Sequence, residues 1–100
     1  TGRQISRITV GDIEINLNEH QVTKNGQEVS LKPLEYDLLV LLAKNKNMAF
    51  TREQLLNQVW GSDYLGETRT VDVHIGQLRK KLELFDVIKT IPKIGYRLED

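Results

Sequence analysis

The segment "GETRTVDVHIGQLRKKL", residues 66–82, combines side chains that can recognise an anionic, hydrogen-bonding surface. Its spacing predicts one helix over residues 67–83. At 100° per residue, four apolar residues fall in one stripe: Val71, Ile75, Leu78 and Leu82. Five residues lie away from that stripe: Arg69, Val73, Gly76, Gln77 and Lys80. The helix therefore has an apolar face for the core and a second face that is basic and polar. Val73 lies on this second face although its side chain is apolar.

The charge of the chain is unevenly distributed. Fourteen Lys and Arg balance fourteen Asp and Glu, which argues against a protein that coats nucleic acid through net charge. Residues 1–68 hold seven basic and nine acidic residues, whereas residues 69–97 hold seven basic and three acidic ones. The basic C-terminal third indicates an anionic partner, and a solvated, mildly basic face is the alternative.

Composition excludes several classes of protein. One hundred residues, 39% of them hydrophobic, can build one core, so we predict one domain over 1–100 with an ordered core at about 8–98. Cysteine is absent and His20 and His74 lie far apart, so we expect no metal and no cofactor. We also find no apolar membrane span, signal peptide or catalytic constellation. These features favour a cytoplasmic protein that is not an enzyme.

The first third of the chain is typical of a small antiparallel sheet. Apolar residues alternate from Ile8 to Leu31, for example in "IEINL" and "QEVSL". Asn25 and Gly26 suit a two-residue hairpin turn, and residues 18–20 suit another. One face of this sheet must be covered by elements later in the chain.

Two helices come after the sheet. "KPLEYDLLVLLAKN" predicts a first helix at about 33–45, for which Lys32 is a poor N-terminal cap. "FTREQLLNQVWG" predicts a second helix with Thr51 as its cap, Gln54 closing a capping box, and Phe50 stapled onto Leu55. Gly61 ends that helix.

Two short β-type runs, 87–91 and 95–98, surround a turn that contains proline. The order of elements is then sheet, three helices and hairpin. This order predicts an α+β fold, a winged helix-turn-helix, whose last helix enters the major groove of DNA.

The residues that carry this pattern resemble a known family. "LKPLEYDLLVLLAKN", "FTREQLLNQVWG", "TRTVDVHIGQLRKKL" and "IKTIPKIGYRL" are similar to the C-terminal DNA-binding domain of OmpR/PhoB-type response regulators, from about Ile8 to Leu98. The resemblance implies a transcriptional regulator of a two-component system that binds double-stranded DNA, in tandem pairs. It also implies a receiver domain outside this chain, through which a sensor histidine kinase would act.

The resemblance implies roles for individual positions. Four residues of the third helix would face bases: Thr70, Val73, His74 and Gln77. Six residues would contact phosphates: Trp60, Arg69, Arg79, Lys80, Thr90 and Tyr96. The hairpin would place Lys93 or Arg97 at the minor groove. A loop would face RNA polymerase: Ser62, Asp63, Tyr64, Leu65 and Gly66. Val73 could touch the methyl group of thymine, and Gln77 could bind adenine through two hydrogen bonds.

The sequence departs from the family's usual pattern at Lys32, at Gly76 and Gln77, and in the wing at Pro92 and Lys93. The target DNA sequence therefore cannot be transferred from a relative. Proline also removes a backbone donor from the wing tip and leaves Lys93 as the nearest cation.

Structural alternatives accompany these assignments. Val73 can be a singly exposed apolar residue, His74 can make a structural hydrogen bond, and Trp60 can belong to the core. Lys81 and Lys89 can be solvated surface. For the whole domain, the alternatives are a winged helix that binds an acidic protein, or the DNA-binding domain of a membrane-anchored ToxR-like regulator.

Overall fold

The computed structural model describes residues 7–100, so the first six residues of the predicted domain lie outside the described part. Seven strands are present: β1 Arg7–Val10, β2 Ile13–Asn16, β3 Gln21–Lys24, β4 Gln27–Val29, β5 Ala49–Thr51, β6 Ile88–Ile91 and β7 Gly95–Leu98. The helices are α1 Pro33–Lys44, α2 Arg52–Leu55 with a π-helical continuation over Leu56–Trp60, and α3 Arg69–Leu82.

The N-terminal strands form the predicted antiparallel sheet, in the order β1-β2-β3-β4. Asn25 and Gly26 have φ of 53° and 83°, as the predicted hairpin turn requires. Alternate residues of the strands are buried because they face the helices: Ile8, Val10, Ile13, Ile15 and Val22. The sheet thus covers one side of a core to which all three helices contribute.

Helix α1 begins without a side-chain cap from Lys32, as expected for lysine. The side chain of Glu35 compensates, because its Oε1 accepts a hydrogen bond of 3.0 Å from the backbone N–H of Lys32. A carboxylate in the first turn is also favoured by the helix dipole. The start of α1 therefore depends on Glu35.

The capping box of α2 is confirmed. The N–H of Gln54 donates to Thr51 Oγ1 at 3.0 Å, and the N–H of Thr51 donates to Gln54 Oε1 at 2.8 Å. The expectation of one regular α-helix up to Gly61 is wrong, since α2 ends at Leu55 and continues as a π-helix. The N–H of Gly61, with φ of 106°, reaches back to Leu56 O and closes that wider turn.

A second sheet, absent from the predicted elements, contains the hairpin. Its order is β5-β7-β6, with Phe50 opposite Tyr96 and Thr90 on the other side of Tyr96. Phe50 is buried, and it belongs to strand β5 as well as preceding α2. The hairpin is therefore attached along its inner strand to the chain that leads into α2.

Within residues 7–100, no helix is both long enough and apolar enough to cross a membrane.

Candidate nucleic-acid interface

Helix α3 has the two faces predicted from its sequence. Four apolar residues are almost completely buried: Val71, Ile75, Leu78 and Leu82. Five residues on the opposite side are exposed: Arg69, Val73, Gly76, Gln77 and Lys80. Val73 is 55% exposed although it is apolar. We refer to these five residues as the outer face of α3.

A shallow groove borders the outer face where α3 meets the start of α1. Val73, His74, Gln77 and Lys81 line it from α3, and Lys32 and Glu35 line it from α1. Glu35 is 2% exposed, and Lys81 Nζ lies 2.7 Å from Glu35 Oε1. Burial raises the pKa of Glu35, but the ammonium group of Lys81 and the N–H of Lys32 outweigh burial and hold this pKa below its usual value. Lys81 therefore balances a buried anion.

His74 and Trp60 make structural contacts on the flank of α3. His74 Nδ1 donates to the carbonyl oxygen of Thr70 at 2.8 Å, since a carbonyl can only accept. The Trp60 ring meets the His74 ring edge to face at 4.9 Å and lies 6.4 Å from the Tyr64 ring. Trp60 is partly buried against the core. Both residues therefore make internal contacts of the kind that the structural alternatives describe.

Asp72 connects α3 to two other elements. Its Oδ1 accepts hydrogen bonds from Arg52 Nε of α2 at 2.7 Å and from the hydroxyl of Tyr96 of β7 at 2.5 Å. Burial raises the pKa of Asp72, but the hydrogen bonds from Tyr96 and Arg52 outweigh burial and hold this pKa below its usual value. Burial and the Asp72 carboxylate raise the pKa of Tyr96. The hydroxyl of Tyr96, a residue that is 5% exposed, is thus engaged inside the protein.

Arg79 ties α3 to strand β6. Its Nη2 donates to Ile88 O at 2.7 Å and to Thr90 Oγ1 at 2.8 Å, and its Nε donates to Ile88 O at 3.2 Å. Its guanidinium carbon also lies 5.5 Å from the centre of the Tyr96 ring. Arg79 therefore fixes the hairpin against α3.

The hairpin tip carries Pro92, Lys93 and Ile94, all exposed, and Lys93 has φ of 66°. Arg97 is opposite Lys89, on the face of the sheet away from Tyr96, because neighbouring residues of a strand alternate. Its guanidinium group forms an ion pair of 2.5 Å with Glu99. Lys93 is thus the cation at the tip, and Arg97 is neutralised farther from it.

The loop between Trp60 and α3 exposes apolar side chains. Leu65 is 98% exposed and Tyr64 is 38% exposed. The Tyr64 ring occupies the space beside Gly66, where a Cβ atom would lie 2.1 Å from the Tyr64 hydroxyl oxygen. Ser62 and Asp63 are also exposed. Glycine at position 66 therefore permits the packing of Tyr64 over the loop.

The family described as "Transcriptional regulatory protein, C terminal" matches residues 26–98. This chain belongs to that family. The match confirms the resemblance identified from the sequence, since the family description names a domain of transcriptional regulators.

Three relatives illustrate the membership. The DNA-binding response regulator MtrA of Mycobacterium tuberculosis is 44% identical over 94 residues, which are 90% of this chain and 41% of MtrA. The DNA-binding domain of RstA from Klebsiella pneumoniae, solved in complex with the RstA box, is similar with a TM-score of 0.83 and 34% identity. That match covers 95% of this chain and 98% of the RstA domain.

The response regulator DrrB of Thermotoga maritima, described as an OmpR/PhoB homolog, is similar with a TM-score of 0.87 and 30% identity. The match covers 95% of this chain and 45% of DrrB. Our chain thus spans about two fifths of the length of MtrA.

In this family member, the residues expected to face DNA fall into two groups. Six residues are exposed on α3 and along the hairpin: Arg69, Val73, Gln77, Lys80, Thr90 and Lys93. Thr70 and His74 are half-buried on the flank of α3. Four residues are engaged chiefly in internal contacts: Trp60, Arg79, Tyr96 and Arg97. Thr90 and His74 take part in such contacts as well. Local spacing could not reveal these contacts, because most of them join segments distant in sequence.

Three residues of the interface were not singled out from the sequence: Glu35, Arg52 and Asp72. A weak signal existed for Asp72, which is the acidic residue in the first turn of an otherwise basic helix. In the described part of the chain, no cluster of His, Asp and Glu is arranged to hold a metal ion.

Proposed function

We propose that this chain binds double-stranded DNA in a sequence-specific manner, as the output domain of a two-component transcriptional regulator. Helix α3 lies in the major groove and the hairpin of β6 and β7 is the wing. No catalytic activity is part of this proposal.

The observation that carries the proposal is the outer face of α3. Val73 and Gln77 lie one helical turn apart, between the cations Arg69 and Lys80. An apolar group and an amide can read base edges, and the flanking cations can hold phosphates. The opposite stripe of the helix is fixed in the core, so the face is presented on a rigid element.

Four residues are assigned to the bases. Val73 contacts the methyl group of a thymine and Gln77 makes two hydrogen bonds to an adenine. Thr70 and His74 lie on the flank of α3, where the carbonyl oxygen of Thr70 accepts a hydrogen bond from His74 Nδ1, and both are assigned to the neighbouring base pair. The assignment of His74 is compatible with its Nδ1 bond because imidazole has a second nitrogen.

The phosphate contacts are assigned from the exposure and the internal hydrogen bonds of each side chain. The Arg69 side chain is 83% exposed and its Nε lies as far as 3.9 Å from Glu67, which leaves it free to reorient. Lys80 is exposed as well. Arg79 donates a hydrogen bond to Thr90, and the two residues contact the DNA backbone as a unit. Trp60, which is only partly buried, is assigned a phosphate contact through its indole N–H. Tyr96 is buried and packs beneath Arg79, whose guanidinium carbon lies 5.5 Å from the centre of the Tyr96 ring.

Pairing on DNA is expected from the small footprint of one recognition helix. Two copies bind tandem half-sites about 10–11 bp apart, on the same face of the duplex. Inserting ~5 bp between the half-sites rotates one of them to the other face. Undiminished binding to the lengthened site would contradict pairing.

Other partners act through surfaces away from α3. The loop of Ser62, Asp63, Tyr64, Leu65 and Gly66 contacts RNA polymerase, a role supported by the nearly full exposure of Leu65. A sensor histidine kinase acts only through a receiver domain outside this chain. A Leu65→Ser variant that binds DNA normally and activates transcription as well as the wild type would contradict the polymerase assignment.

The direct test is selection of bound sites from random duplex DNA, followed by salt titration of the selected duplex, its single strands and an acidic peptide. We expect one enriched sequence, bound as duplex with an affinity that falls as salt increases. Binding of the acidic peptide in preference to any duplex would instead support the alternative of a protein-interaction domain.

A further inference from the structure

We propose that the hydrogen bond between Tyr96 and Asp72 positions the wing, so that Lys93 at its tip reaches DNA only while α3 holds Tyr96. Tyr96 is then a positioning residue of the interface, although it is buried and carries no charge. This inference rests on the proposed function and goes beyond it in identifying which internal contact aligns the two DNA-binding elements.

The first step is the central location of Tyr96. It lies on β7, the middle strand of its sheet, between Phe50 of β5 and Thr90 of β6. Two guanidinium groups lie near its ring, with Arg52 at 5.4 Å and Arg79 at 5.5 Å from the ring centre. Each contact suits a cation over an aromatic ring. Helices α2 and α3 and strands β5 and β6 therefore all contact Tyr96.

The second step is that the hairpin is attached to α3 at two separate points. Asp72 holds β7 through the hydroxyl of Tyr96, and Arg79 holds β6 through Ile88 O and Thr90. The two residues of α3 are about two helical turns, or ~10 Å, apart along the helix. Two attachments at that separation set the angle of the hairpin to the helix, while the pairing of β7 with β5 holds the inner strand in place.

The third step is the position of Lys93. It lies at the exposed end of the hairpin, beyond both attachments, and lines an open groove together with Thr51 and Thr68. A small rotation of the hairpin at Tyr96 therefore moves the tip more than it moves the base of the hairpin. A phosphate contact by Lys93 depends on this alignment, whereas the contacts of Val73 and Gln77 on α3 do not.

The inference is tested by the salt dependence of binding to the selected duplex. The Tyr96→Phe substitution keeps the ring and changes no charge, yet we expect the slope of log affinity against log salt to fall by about one unit, as for loss of one phosphate contact. Lys93→Ala should give the same fall. The double variant should match either single variant, because Lys93 no longer reaches DNA once Tyr96 is altered.

Two controls accompany this test. Tyr36→Phe removes a hydroxyl from a tyrosine that stacks on His20 at 4.8 Å, and it should leave the slope unchanged. Lys44→Ala removes an exposed cation in the last turn of α1 to which no DNA contact is assigned, and it should also leave the slope unchanged. Circular dichroism at the same temperature verifies that each variant is folded.

The outcomes separate the inference from the proposed function. An unchanged slope in Tyr96→Phe or in Lys93→Ala, or additive losses in the double variant, would overturn the inference while duplex binding by the wild type stood. Failure of the wild type to prefer duplex DNA would overturn the proposed function itself.

Discussion

The ammonium group of Lys81 lies 2.7 Å from the carboxylate of Glu35, which is 2% exposed. Among residues 7–100, Glu35 is the one charged residue that is buried. The pair joins the first turn of α1 to the last turn of α3. Lys81, for which solvated surface was one alternative from the sequence, is therefore part of the framework that holds α3.

Removing Lys81 should destabilise the fold more than removing both partners. Lys81→Met leaves the Glu35 carboxylate buried without its cation, and we expect the free energy of unfolding to fall by about 3 kcal/mol. The double variant with Glu35→Gln should recover part of that loss, since no buried charge remains. Urea unfolding of the wild type, both single variants and the double variant measures this coupling. Equal losses in Lys81→Met and in the matched surface variant Lys80→Met would contradict it.

Stability should fall in acid partly because of Glu35. Its pKa is lower in the folded protein than its usual value, so its contribution to stability is complete above the unfolded pKa of about 4.3. That contribution is lost as the pH falls through the folded pKa. Urea unfolding at a series of pH values from about 7 to about 3 should therefore show a smaller acid loss in Glu35→Gln than in the wild type. Parallel curves for the two proteins would refute this expectation.

Val73 should recognise one thymine methyl group in the selected site. Replacing each thymine by uracil removes only that methyl group, so affinity should fall at one position for the wild type. The same replacement should have no effect on Val73→Ala, which lacks the contacting methyl groups. A thymine preference that is identical in the two proteins at every position would show that Val73 is only an exposed residue.

Gln77→Ala should separately lose roughly 1–3 kcal/mol of discrimination at an adenine.

Arg69 and Arg79 should differ although both are basic residues of α3. Arg69 is exposed, so Arg69→Ala should weaken binding to all duplexes alike and leave unfolding unchanged. Arg79 donates to Ile88 O, so Arg79→Ala should weaken DNA binding and also lower the free energy of unfolding by about 1–3 kcal/mol. Affinity for random duplex and urea unfolding, measured for both variants, separate the two roles. An Arg79→Ala protein as stable as the wild type would contradict the structural role.

Features that depend on local pattern could be predicted from the sequence. The hairpin turn at Asn25 and Gly26, the capping box of Thr51 and Gln54, and the buried stripe of α3 each involve residues close together in the chain. The residue types and the spacing of apolar residues are sufficient to predict these features. The bounds of α1 and α3 differ from the predicted ones by at most two residues at each end.

Features that depend on distant contacts could not be predicted. Strand β5 has three residues and is a strand only because β7 returns beside it, so Phe50 was interpreted solely as a helix staple. The same return of the chain engages Tyr96 with Asp72 and Arg79 with Ile88. Charge and family resemblance indicated a DNA-facing role for Arg79 and Tyr96. These two kinds of evidence do not reveal the internal hydrogen-bond partners, Ile88 and Asp72, which lie elsewhere in the sequence.

The claim that the outer face of α3 reads base pairs is tested most directly by a ratio of two dissociation constants. These are measured at one salt concentration for the selected duplex and for a shuffled duplex of the same composition, using the wild type and the Val73→Ala, Gln77→Ala double variant. For the wild type we expect the selected duplex to bind at least about 100-fold more tightly. The double variant should lose most of this ratio while its affinity for the shuffled duplex changes little. A wild-type ratio near one, or a ratio that the double variant retains in full, would contradict base reading by this face.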